Sequence, residues 1–231
     1  MMAYKLGLKI PFLNKKNYVV LKCYTDNSVH LDYTPIKIAT KDCPIKHTED
    51  NKGKRTFRGC YGRVEGLKRS ATFEMPSALK MIGTKEGIVN HTFSDGNTKS
   101  IDVVYDHISD PDYVSKDTTI TKILTHWQVE ETTGAVFILA KHIQNKTMMN
   151  IPTGVVSFKH QHSLNIFNQV ANFDHSYVVP FRTPVASLYL ASDKKLIVEC
   201  YYDVKKNREL LERSNYNPMF SNTTLKLHKM F

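Results

Sequence analysis

Between Lys41 and Arg69 the chain carries Lys46, His47, Lys52, Lys54, Arg55, Arg58, Arg63, Lys68 and Arg69, with Phe57 and Tyr61 set among them. Gly53, Gly59, Gly62 and Gly66 loosen the same stretch. Lysine and arginine neutralise phosphate, and exposed rings stack on unpaired bases at about 1–3 kcal/mol each, so the pattern suits single-stranded nucleic acid. The expected contact residues are Lys52, Lys54, Arg55, Phe57, Arg58, Arg63, Lys68 and Arg69. A solvated loop with Phe57 and Tyr61 packed inward fits the same composition, and Glu49, Asp50 and Glu65 dilute its field.

Catalytic chemistry has less to build on. Phosphate-loop, nucleophile-elbow and His-Glu-x-x-His patterns are absent from the sequence. His160 and His162 would share one face of a strand and could ligate a metal together with His175, but the reading preferred is of solvated or hydrogen-bonded rings, which requires no third group to converge, so no metal is expected. Cys200 with His91 or His107 could be drafted into a cysteine protease. No Gly-rich turn presents that thiol, and a strand would put it on a face with Val198 and Tyr202, which reads as core. Cys23, Cys43, Cys60 and Cys200 form no Cys-x-x-Cys pair and are expected to be reduced thiols.

The elements that must position these groups read as strands. Asn17–Tyr24 and Ser28–Tyr33, separated by Asp26-Asn27, have the composition of an opening hairpin. Residues 41–69 lose periodicity and read as a basic loop; Thr72–Glu74 reads as a strand, and Pro76–Ile82 as a short helix. Thr118–Val129, Ala135–Ile143, Gly154–His160, Leu164–Phe167, Ser176–Val179, Val185–Leu190 and Leu196–Tyr202 read as further strands. The unbroken apolar run Val136–Ala140 should be buried on both faces. Lys205–Arg213 reads as an amphipathic helix stopped by Ser214-Asn215 and Pro218. With no βαβ rhythm, the expected fold is all-β: a single jelly-roll-like β-sandwich over 1–204 carrying the 41–69 loop, then a short helix and C-terminal arm over 205–231.

At 231 residues with 41% hydrophobic content the chain can fill one core, and its net charge of +10 favours an anionic partner. The N-terminal stretch lacks an uninterrupted apolar segment, and Ala135–Ala140 is far short of the roughly twenty residues of a membrane span. The expectation is therefore an unsecreted protein without a transmembrane helix.

Two stretches go together. Ser100–Asp110 reads as a core strand that ends in Asp106 before the Asp110-Pro111-Asp112 break, and Ser176–Pro184 carries Val179-Pro180-Phe181-Arg182-Thr183-Pro184. A hydrophobic strand closed by an aspartate, then a Val-Pro-Phe-Arg-x-Pro segment, resembles the 30K family of plant-virus movement proteins. The resemblance covers about Lys68 to Lys205 and makes Asp106, Pro180 and Phe181 the signature positions. Phe181 reads most simply as a core anchor, with Arg182 a conceivable partner for Asp106.

The resemblance implies a jelly-roll-like core and transport of single-stranded RNA or viral nucleoprotein through plasmodesmata. It further implies host plasmodesmal or membrane factors as partners, self-association in some members, residence in the host cytoplasm and at cell junctions, and neither catalysis nor a cofactor. Two alternatives share the strand content: a single-jelly-roll capsid protein, and a β-barrel viral protease or nuclease.

Overall fold

The computed structural model describes residues 17–28, 36–38, 61–84, 87–93, 102–104, 118–143, 145–159, 161–171 and 176–220. Strands β1 (Tyr18–Thr25) and β2 (Ile36–Ile38) precede helix α1 (Tyr61–Lys68). Then come β3 (Ser70–Glu74), β4 (Leu79–Thr84), β5 (Gly87–Phe93), β6 (Asp102–Val104) and β7 (Thr118–Glu130). The second half runs β8 (Val136–Lys141), β9 (Gly154–Ser157), β10 (Ser163–Ala171), β11 (Ser176–Val179), β12 (Pro184–Leu190), β13 (Lys195–Tyr202) and helix α2 (Val204–Phe220).

These elements build an all-β sandwich. One sheet runs β10-β7-β1-β13 with β6 also on β7, a second runs β2-β3-β12-β8-β9, and a smaller one runs β11-β4-β5. Leu21, Ile123, Trp127 and Ile166 of the first sheet share one core with Phe73, Phe137, Leu139 and Leu188 of the second. Each such burial stabilises by about 1.5–3 kcal/mol, which fixes which face of each strand turns inward. No helix among the described residues is long and apolar enough to cross a membrane.

β7 is the hub of the first sheet. β10 pairs along one edge, while β6 and then β1 share the other. Between these partners the ladder breaks: Thr125, His126 and Trp127 together oppose Leu164, and His126 takes a left-handed φ of 56°. Thr125 Oγ1 donates to the Leu164 carbonyl at 2.5 Å, and Asn207 Nδ2 of α2 donates to the Tyr24 and His126 carbonyls at 2.8 and 3.1 Å. The helix thereby holds the bulge and the strand beside it. From β7 the chain crosses to β8 through a turn in which Glu131 accepts the backbone N–H groups of Thr133 and Ala135 at 2.6 and 2.8 Å. Gly134 supplies the left-handed residue there, at φ 72°.

Several expected elements differ. The opening hairpin is replaced by long-range pairing, because β1 lies parallel and in register with β13 and its Lys22–Thr25 half is antiparallel to β7. Both edges near the Asp26-Asn27 turn are therefore taken; residues 29–35 lie outside the described residues. The helix expected over Pro76–Ile82 is instead β4, where Leu79 and Met81 are fully buried and Lys80 between them is exposed. That is a two-residue period, fixed by pairing with β11 and β5. Where a loop is expected over 41–69, residues 41–60 lie outside the described residues and Tyr61–Lys68 is helix α1, whose Leu67 is buried.

Of the core strand expected over Ser100–Asp110, Asp102–Val104 is β6, an antiparallel neighbour of β7, and residues 100–101 and 105–110 lie outside the described residues; among the described strands the central role belongs to β7. In β8 burial alternates although hydrophobicity does not: Phe137 and Leu139 face the core, while Val136 and Ile138 are 42% and 39% exposed. One face of an apolar strand is thus left outside. α2 begins where expected but runs through Ser214-Asn215, with the Asp203 carboxylate accepting the Lys206 N–H at 2.9 Å as its N-cap. Ser214 does not stop the helix because its hydroxyl faces the sheet and accepts the His162 N–H at 2.8 Å.

Candidate nucleic-acid interface

Lys52, Lys54, Arg55, Phe57, Arg58 and Asp106 lie outside the described residues, as do His107, His160 and His175. Arg63 falls within α1. Lys68 and Arg69, at the end of that helix, share one acid: Glu65 lies 2.7 Å from Lys68 Nζ and 3.9 Å from the Arg69 guanidinium. Arg69 also donates to the Ser192 carbonyl at 3.2 Å. These two cations are partly satisfied by the fold itself.

The Pro180-Phe181-Arg182 segment forms a different arrangement. Pro180 follows directly on β11 and Pro184 opens β12, so both strands are confined and the residues between must reverse the chain. The Thr183 N–H bonds to the Pro180 carbonyl at 3.2 Å, and Arg182 takes φ 61°, a left-handed conformation unfavourable for a residue with a side chain. Two backbone bonds hold it: Arg182 N–H to the Met75 carbonyl at 2.9 Å and Met75 N–H to the Thr183 carbonyl at 3.0 Å. Phe181 is not the core anchor expected from sequence. The fully buried Val179 and Val185 on either side fill the core, and the reversal leaves Phe181 47% exposed. Its ring carries the Arg182 guanidinium at 5.1 Å, a cation–π pair.

Facing this turn is the segment after β8. Asn145 ties it down, with Nδ2 donating to the Val185 carbonyl at 3.3 Å and Oδ1 accepting the Thr147 N–H and hydroxyl at 2.9 and 2.6 Å. Lys141 Nζ adds a bond to the Thr147 carbonyl at 3.3 Å, and the fully buried Met149 anchors the far end. Lys146 and Met148 are left exposed on the outer side.

The two segments line an open groove of about 620 Å³, with Phe181 and Arg182 from the turn, Lys146 and Met148 from the segment after β8, and Tyr177 and Val178 from β11. Burial pushes the Tyr177 pKa up to about 12, and its hydroxyl donates to the core residue Met81 at Sδ, 2.6 Å away, so its phenol is neutral and turned inward. The groove's described lining holds two cations and no carboxylate. The Pro-Phe-Arg segment was visible in sequence. Lys146 was not, because nothing local marks it as a neighbour of residues more than thirty positions on.

A further polar cluster fastens α2. Lys206 Nζ lies 3.0 Å from Glu130 and 3.5 Å from Glu209. Burial opposes ionisation of Glu130, but the hydrogen bond and charge of Lys206, helped by Lys22, outweigh it and hold the carboxyl below its usual pKa. Tyr24 and Tyr201 stack with ring centres 5.2 Å apart, and burial, reinforced by nearby glutamates, pushes both phenols up. Cys23 and Cys200 are free thiols paired in register on β1 and β13; hydrogen bonding to Cys200 and burial raise the Cys23 pKa well above the ordinary thiol value. Among the described residues no three His, Cys, Asp or Glu side chains are grouped to hold a metal ion.

His162 is buried, its Nδ1–H donating to the Val129 carbonyl at 3.0 Å beneath α2. Burial lowers its pKa; the Val129 hydrogen bond and Glu130 oppose this, and Arg213 and Lys206 add to it. An unfolded histidine titrates near about 6.5. Between that value and the lower folded one, the unfolded chain holds a proton the folded chain lacks. The contribution to stability is therefore complete above the interval and lost as pH falls through it. Urea midpoints are expected to drop between about pH 7.5 and about pH 5 by more in the parent than in His162→Gln. Equal drops would remove His162 as the cause.

No protein-family model matches the chain, and no curated protein matches its sequence.

Proposed function

We propose that this protein is a viral cell-to-cell movement protein of the 30K type, binding single-stranded nucleic acid with little sequence preference and aiding its passage through plasmodesmata. It acts by binding, with no catalytic step and no cofactor. The observation that carries this reading is the groove beside Phe181, where an exposed aromatic side chain, Arg182 and Lys146 line the same space in a chain of net charge +10. Cations for phosphate and a ring for bases are what sequence-tolerant binding of a single strand requires. The all-β sandwich agrees with the jelly-roll-like core implied by the Val-Pro-Phe-Arg-x-Pro resemblance. Expected partners are single-stranded RNA or viral nucleoprotein, host plasmodesmal or membrane factors, and further copies of the chain.

A fluorescent fusion expressed in single leaf epidermal cells is expected to collect as puncta at cell junctions and to spread to neighbouring cells. Diffuse signal confined to the first cell would overturn the assignment. One observation favours the capsid alternative: Val136, Ile138 and the 77% exposed Val155 place apolar side chains on the outer face of β8 and β9, as an assembly contact would. Closed shells formed by the purified protein would decide for it.

A further inference from the structure

We propose that the groove between the Pro180–Thr183 turn and the Lys146–Met148 segment holds one nucleotide of a single strand, its base against the Phe181–Arg182 platform and its phosphate at Lys146. The proposal rests on the nucleic-acid reading above and gives it a place on the sandwich.

The site is built and not merely exposed. Arg182 is kept at φ 61° by its bond to Met75, and strain of that kind persists only where the surroundings impose it. The opposite wall is fixed by Asn145, whose amide spans the start of β12 and the Thr147 turn. Two anchored walls therefore present a ring–guanidinium cation–π pair and an ammonium group to the same space. Lys146 makes no ion pair among the described residues. The volume of about 620 Å³ is in the range of pockets for small organic ligands, about 300–1,000 Å³.

Chemistry narrows the occupant. A bare phosphate would answer Lys146 but leave Phe181, Met148 and Val178 facing water, all three being about half exposed at 47%, 48% and 54%. An uncharged apolar ligand would cover those side chains and leave the ammonium without a counter-charge. A nucleotide matches both, since its base stacks on a ring or a guanidinium plane while its phosphate meets the lysine. A phospholipid headgroup supplies the phosphate without a flat ring. A base within a duplex is already paired and stacked on both faces, so the groove should select single strands.

The test is fluorescence anisotropy of the full chain with a labelled oligouridine, the same length of RNA duplex, and vesicles of phosphatidylcholine with phosphatidylserine. Phe181→Ala is expected to weaken binding of the single strand about tenfold with an unchanged salt slope, because stacking releases no counterions. Lys146→Ala is expected to lower the slope of log affinity against log salt by about 0.7. Lys159→Ala, which removes an exposed charge outside the groove, should match the parent. Both groove side chains are exposed, so unchanged melting temperatures should accompany the losses. Single-strand binding that survives both groove substitutions would overturn the groove while leaving the function standing. A parent that binds no single strand would overturn the function and the groove together. Vesicle binding that depends on Phe181 and Lys146, without RNA binding, would assign the groove to a lipid headgroup and overturn the proposal.

Discussion

Trp127→Ala is expected to destabilise the domain by about 3–5 kcal/mol, the range for emptying a large aromatic site in a packed core. Trp127 is the only tryptophan, is 1% exposed and sits at the point in β7 where three residues oppose Leu164. Its backbone pairs with Thr25 at the end of β1, and the preceding carbonyl is held by Asn207 of α2. A cavity there adjoins two strands and sits one residue from a helix contact, so little nearby can collapse to fill it. Domain stabilities are typically about 5–15 kcal/mol, so a loss of that size would remove a large share. Because the substitution also deletes the fluorophore, urea unfolding should be followed by far-ultraviolet circular dichroism. A loss below about 1 kcal/mol would show that the bulge repacks, and that β7 is not the hub assigned to it.

The strands that sequence located well are those bounded by turn residues, whether burial alternates along them, as in β11, or four consecutive residues are buried, as in β12. β10 through β13 and most of β7 lie where composition and turns placed them. What remained hidden was partnership. Asn17–Tyr24 reads as half of a hairpin, yet the neighbours of β1 are Lys195–Tyr202 and Lys22's partner Glu130, and no local pattern encodes a partner so distant in sequence. β8 shows a second limit: Val136 and Ile138 are as apolar as Phe137 and Leu139, so only the fold reveals which pair faces out.

The groove was half legible. Prolines on both sides of Phe181-Arg182-Thr183 announce a chain reversal, and a residue at the tip of a reversal turns outward. Weighing that signal above the hydrophobicity of Phe181 would have found the exposed ring. Lys146 reaches the same space only because Asn145 binds the Val185 carbonyl, a contact between segments with no shared pattern. The basic stretch, in contrast, is legible as charge, and its contribution has to be measured as charge.

Replacing Lys52, Lys54, Arg55 and Arg58 together with alanine is expected to weaken binding to single strands and to flatten its salt dependence. If each side chain neutralises one phosphate, the slope of log affinity against log salt falls by about 0.7 per charge, or nearly three for all four. Phe57→Ala should reduce affinity with the slope unchanged, since stacking displaces no counterions. Lys68→Ala and Arg69→Ala provide an internal contrast. Both cations lie within reach of Glu65, so part of their charge is already answered and each removal should change the slope by less than removal of Lys52 or Lys54 does. A quadruple variant whose salt titration overlays the parent would return residues 41–69 to a solvated surface. The phosphate contacts would then lie at the groove or near Lys194, Lys195 and Lys205. Lys206 would be the weakest of that group, because Glu130 and Glu209 hold its ammonium at 3.0 and 3.5 Å and a phosphate would have to displace them.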